Sequence, residues 1–233
     1  MQALKAAVGD ATLVVDAVSS LGAVPLETDA WGIDVVVSGS QKALMCPPGL
    51  AMVTVAEHLW EMIPANSRSY YFDWRFTKKA QEAFDSAFTP AVSLIKGLDV
   101  ALGMLIDDGL PAAFERHIKL GRAARAGIKA MGLELFSPDN DSAAVVTAVR
   151  TPEGIDATAL LKHLREKHGV TLAPGQGALK SNVFRIGHIG WFDQFDIAAA
   201  VAAIEIGLTE LGANIQRGVG VPAAFAAFEQ PLH

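Results

Sequence analysis

Residues Val14–Val55 read VVDAVSSLGAVPLETDAWGIDVVVSGSQKALMCPPGLAMVTV, and the fold is decided here. The stretch and its flank hold short apolar, β-branched runs that end in polar residues. Thr12-Leu-Val-Val15 runs into Asp16, and Asp34-Val-Val-Val37 runs into Ser38-Gly39-Ser40-Gln41-Lys42. Leu50-Ala-Met-Val-Thr-Val55 is the third. Such runs, lacking polar alternation, predict strands buried on both faces, hence a parallel or mixed sheet covered by helices.

Working outward, Asn66–Lys79 holds Tyr70, Tyr71, Phe72, Trp74 and Phe76 and reads as an irregular, partly buried loop. Thr89 and Pro90 have the chemistry of a helix N-cap and first helical position. From Val92 the apolar residues recur at Ile95, Leu98, Leu102 and Leu105, which is helical spacing. Gly109 and Pro111 break that helix, and a second runs to Met131-Gly132. Ala143–Val149 and Val183–Ile186 are strand-like. Asp156 caps a helix ending near His168-Gly169, and Asp193 caps one ending near Leu211-Gly212. The tail, Ala213–His233, is apolar without a pattern. The expected division is residues 1–95 as part of a large α/β domain and 96–233 as interdomain helices with a small α/β domain.

Composition narrows the function classes. At 233 residues the chain is one large domain or two small ones. Hydrophobic residues make up 51% and charged ones 19%, which excludes disorder and implies an extensive core or a large interface. A net charge of −6 recommends neither nucleic acid nor an anionic membrane as partner. The lone Cys46 excludes a disulfide framework and fits a reducing, cytoplasmic compartment. The longest stretch free of charge, Ala43–Ala56, is too short to cross a membrane, and no signal peptide is read at the start.

Asp16 and Lys42 each fall just past a strand end, where open α/β sheets bind ligands. A carboxylate and an amine there admit pyridoxal phosphate chemistry, the amine joining the cofactor aldehyde and the carboxylate holding the pyridine nitrogen protonated. Each residue also has a plainer reading, since loop lysines are usually solvated and loop aspartates usually make turns. His163 and His168, five apart on one helix, read as a helix-dipole contact, and no metal site is expected. Gly175-Gln-Gly177 lacks the third glycine of a dinucleotide fingerprint.

The wording of Val14–Val55, continued by Phe88-Thr-Pro-Ala-Val-Ser-Leu94 and Phe184-Arg-Ile-Gly-His-Ile-Gly190, closely resembles class V aminotransferases of fold type I. Within them it looks most like the alanine–glyoxylate and serine–glyoxylate group. The resemblance implies an α/β chain made of the C-terminal half of the large, mostly parallel domain plus the small C-terminal domain. It implies pyridoxal 5'-phosphate bound by Lys42 as a Schiff base, Asp16 at the pyridine nitrogen, Val18 against a ring face and Gln41 at the ring oxygen or the phosphate region. It further implies Thr89 at the phosphate of a neighbouring subunit in a homodimer. Arg185 would hold the α-carboxylate of a small amino acid or a 2-oxo acid, for which a planar guanidinium is suited. Gln41 stands where cysteine desulfurases carry a histidine, which argues against them.

The family's chains are longer, and their phosphate-cradling glycine turn has no match in residues 1–15. The expectation is therefore a C-terminal fragment, dimeric or aggregated and essentially inactive alone. Two classes stay open: transamination of alanine or serine with glyoxylate, or a non-catalytic remnant that only self-associates or pairs with a complementary chain.

Overall fold

Two compact units make up the computed structural model: Met1–Leu21 with Leu26–Met104, and Gly22–Pro25 with Leu105–His233. The structure describes residues 1–63, 68–140 and 144–232.

The first unit is organised around Asp34. Helix α1 (Gln2–Val8) leads into strand β1 (Val14–Asp16), which pairs in parallel with β2 (Val35–Gly39). The buried Asp34 carboxylate accepts from Leu13 N–H at 2.7 Å and from Lys5 Nζ at 2.8 Å, tying the entry of β1 to that of β2. The Leu13 N–H and the Lys5 ammonium hold its carboxyl below the usual range. Strand β3 (Ala51–Val55) returns antiparallel along β2, so the sheet is mixed, in the order β1-β2-β3.

Burial on both faces holds for β2 alone. Val14 is 59% exposed and Val53 38%, because β1 and β3 are the outer strands of a three-stranded sheet. The aromatic stretch also departs from expectation. Its Asn66 and Ser67 lie outside the described residues, and from Trp74 it becomes helix α2 (Trp74–Glu82). Asp73 caps this helix by accepting from Arg75 N–H at 3.1 Å. Tyr70, Tyr71 and Phe72 are exposed, not partly buried.

Helix α3 (Val92–Asp108) crosses from the first unit into the second. It starts two residues later than the Thr89-Pro90 pair implies. Val92 N–H turns back to Pro90 O, and Ala91 O is the first carbonyl to accept a bond from four residues on, at Ile95. Thr89 is thus outside the helix and exposed.

Within the second unit, Gly109, with a φ of 83°, lets the chain turn between α3 and α4 (Leu110–Ala130). After α4 come β4 (Val146–Arg150), α5 (Ala157–His168), β5 (Ala173–Pro174), β6 (Val183–Gly187) and α6 (Gln194–Glu210). The expected strand start, Ala143, lies outside the described residues. Asp156 accepts from Ala159 N–H at 2.8 Å, and Gly169 ends α5 in the left-handed conformation. Asp193 and Asp196 form a reciprocal capping box on α6. Strand β6 is central, antiparallel to both β4 and β5. Leu120 and Ile128 of α4, Leu160 and Leu164 of α5, Phe184 and Ile186 of β6, and Ile204 and Leu208 of α6 form one buried cluster.

The tail is not structureless. Helix α7 (Gly220–Glu229) packs on α4 and α6, burying Gly220 and Ala224. A Cβ on Gly127 of α4 would lie 3.1 Å from Gly220 O, so the small residue permits the approach.

Candidate active site

The parallel pairing of β1 with β2 brings their carboxyl ends to the same sheet edge, with Asp16 opposite Val37. Beyond β2 the chain enters a loop that Ser40 closes. The fully buried Ser40 hydroxyl donates to Pro47 O at 2.7 Å and accepts from Leu50 N–H at 3.3 Å. Its backbone bonds Leu50 O and Cys46 N–H. Ala43, Leu44 and Cys46 are buried, and Met45 takes a positive φ of 57° as its N–H returns to Lys42 O. Lys42 is thereby held on a tight turn at the strand end.

The Lys42 ammonium donates to Ser19 Oγ at 2.5 Å. Asp16 folds into the turn expected of a loop aspartate, accepting from Val18 N–H at 2.9 Å. Among the described residues neither Lys42 nor Asp16 forms an ion pair. Val18 is half-buried in the same loop. Gln41 bends back over Gly39, where a Cβ would stand 2.5 Å from its Oε1, so residue 39 must be glycine for that side chain to lie there. Thr89 is exposed in the same unit. An apolar hollow of the unit, lined by Met52, Trp60, Tyr71, Trp74 and Phe88, includes neither Lys42 nor Asp16.

Arg185 belongs to the second unit. On β6 it stands opposite Ala148 and Ala173, two small neighbours that leave room for its side chain. Its Nε donates to Pro174 O at 2.9 Å, and among the described residues it forms no ion pair. Its terminal N–H groups are the kind that bind a carboxylate bidentately. Three residues on, His188 is fully buried, its Nδ1 3.0 Å from Ala144 O and its Nε2 3.0 Å from Thr147 Oγ1. Burial lowers its pKa to about 4, so the ring is neutral. His117, likewise buried and lowered by burial, accepts from Gly190 N–H at Nε2. His117 ties Gly190 to α4, and His188 ties the same segment to Ala144 and Thr147.

Sequence reading missed Ser19, Ser40, His117 and His188. Ser19 follows Asp16 in an ordinary Ser-Ser pair, and its role depends on contact with a residue 23 positions away. Ser19, Ser40 and His188 lie inside the stretches that resemble the family, but nothing in the sequence marks their contacts, and His117 lies outside those stretches.

A lysine offered past the carboxyl end of a parallel strand, with a carboxylate on the adjacent strand that forms no ion pair among the described residues, fits an α/β transferase that uses pyridoxal phosphate. The chain belongs to the class-V aminotransferase family, which matches residues 1–188 and whose members depend on that cofactor. It is 44% identical over 218 residues to a protein of Synechococcus sp. (strain PCC 6716) called soluble hydrogenase, small subunit, covering 93% of this chain and 56% of that one. It is 36% identical over 240 residues to serine–glyoxylate aminotransferase of Methylorubrum extorquens, covering 99% of this chain and 60% of the relative. The crystal structure of ureidoglycine–glyoxylate aminotransferase from Bacillus subtilis superposes with a TM-score of 0.92 at 33% identity, over 98% of this chain and 61% of that one. The chain thus spans between 56% and 61% of the length of these relatives.

Proposed function

We propose that the protein transfers the amino group of a small amino acid, alanine or serine, to glyoxylate or another 2-oxo acid, working as a homodimer in the cytoplasm. The observation that carries this reading is the pairing of a lysine amine and a carboxylate, neither in an ion pair, at one carboxyl sheet edge. The donor set fits pyridoxal phosphate: a primary amine for an aldehyde, a carboxylate for a pyridinium, and an amide beside them. Lys42 would hold the group through its amine and Asp16 through the ring nitrogen. Val18 would lie against a ring face and Gln41 at the ring oxygen or the phosphate region, with Thr89 serving the phosphate of a neighbouring subunit. When bound, the cofactor supplies an aldehyde for amine exchange and a ring that draws electrons from the substrate α-carbon.

With that group bound, Lys42 Nζ would take the substrate α-proton as general base and return it as general acid. Ser19 Oγ gives that amine a resting partner. Asp16 would hold a proton on the ring nitrogen by charge pairing. Arg185 binds the α-carboxylate of donor and acceptor alike.

Borohydride reduction in the presence of pyridoxal phosphate, followed by peptide mapping, tests the assignment. Modification confined to Lys42 supports it. Modification spread over surface lysines refutes it and leaves the non-catalytic, self-associating reading.

A further inference from the structure

Helices α5 and α6 of the second unit bring together a second constellation far from Lys42 in the sequence. Leu160 and Leu164 of α5 lie against Gly207 of α6, where a Cβ would meet Leu164 Cδ2 at 2.6 Å. Gly207 therefore lets the two helices approach side chain to backbone. One turn further along α6 is its last residue, Glu210. Its Oε2 lies 2.5 Å from His163 Nε2 and 2.8 Å from His168 Nε2. The two imidazole rings are 5.6 Å apart at 66°.

All three candidate ligand atoms lie within 4.8 Å of one another. With ligand bonds of about 2.0–2.2 Å, a single ion reaches all three after small side-chain rotations. Two imidazoles and one carboxylate suit zinc, copper, nickel or cobalt better than magnesium or calcium. The histidine side chains are 22–23% exposed and Glu210 45%, so water can complete the coordination. His168 ends α5 and Glu210 ends α6, so the negative ends of two helix dipoles favour a cation there. Both histidines direct the same ring nitrogen at one carboxylate oxygen, an arrangement an ion replaces without moving the backbone.

We infer that His163, His168 and Glu210 bind one divalent transition-metal ion, Zn²⁺ for example, through two Nε2 atoms and a carboxylate oxygen, clipping the end of α5 to the end of α6. The ion is structural and has no part in the Lys42 chemistry. By linkage it raises the unfolding temperature of the second unit when present in excess.

The full chain, treated with a chelator and dialysed, is titrated with ZnCl₂ by calorimetry and with CoCl₂ by visible absorption. One ion per chain is expected, with cobalt d–d bands of a four- or five-coordinate site and an upward shift of the melting temperature. His168→Asn and Glu210→Gln, both partly exposed, should each weaken zinc binding at least about 10-fold while melting like the parent without metal. His58→Asn, in the other unit, should bind as the parent does. Binding that His168→Asn and Glu210→Gln leave unchanged overturns the inference. So does the absence of saturable one-to-one binding. Neither outcome bears on the borohydride test of Lys42.

Discussion

The two units solve different problems. In the second, Leu120, Ile128, Phe184, Ile186 and Ile204 share one core in which each is fully or almost fully buried. In the first, the buried cluster is Leu13, Ala17, Ile33 and Val36, and its outer strands and aromatic segment face outward. Yet it is the first unit that holds Lys42. Its precision comes from hydrogen bonds, those of Ser40 and Asp34 above all, whereas the second unit is held by packing. The larger apolar core and the lysine have been placed in separate parts of the chain.

The sharpest way to break that contrast is Lys42→Ala. Removal of a proton-transfer group is expected to lower transamination by at least about 10³-fold. The urea midpoint should move by less than about 0.5 kcal/mol equivalent, since the lysine supports no core. A large loss of stability would show that the loop depends on the Lys42–Ser19 bond.

Phe184→Ala should do the reverse, costing about 3–5 kcal/mol in urea unfolding of the second unit. Val14→Ala, on an exposed outer strand, should stay within about 0.5 kcal/mol. Equal effects would erase the distinction between the two cores.

Acid sharpens the contrast further. His188 titrates near 4 in the folded protein because burial penalises its charged form, against about 6.5 unfolded. The unfolded chain binds the extra proton between those values. The contribution is therefore complete above about pH 6.5 and is lost as pH falls towards 4, amounting to about 3 kcal/mol. His117 acts in the same direction. Urea midpoints at pH 7 and 4.5 measure the loss, and His188→Gln should flatten the profile. A profile as steep as the parent's would assign the acid sensitivity elsewhere.

The smallest effect belongs to Asp156→Ala. Loss of its bond to Ala159 N–H at the start of α5 should cost about 1 kcal/mol. A cost near zero would mean that packing of Leu160 and Leu164 holds the helix end without the cap.

Caps and breakers made much of the second unit legible in advance. Asp156, Gly169, Asp193, Gly109 and Pro111 act through local backbone chemistry, so their positions alone delimit α4, α5 and α6. Helix α7 escaped because it docks through Gly220 and Ala224, whose small side chains leave no apolar stripe among alanines. The exposure of β1 and β3 escaped because a buried strand and an outer strand with the same valines look alike until the neighbouring strands are counted. Asp16 and Lys42 were legible because each follows an apolar run directly. Ser19 beside Lys42, and Glu210 beside His163 and His168, were not, because tertiary packing creates both meetings.

Ser40 also decides how fast the lysine can act. With its hydroxyl and backbone tied to Cys46, Pro47 and Leu50, the loop beneath Lys42 is a fixed post and not a hinged lid. Nζ can then leave Ser19 and return by rotation of its own four-carbon chain, a motion of picoseconds to nanoseconds, where a loop excursion would take nanoseconds to microseconds. The amine's travel is thereby uncoupled from backbone breathing. Isotope relaxation should find residues 40–46 as rigid as β2, with motion confined to the lysine methylenes.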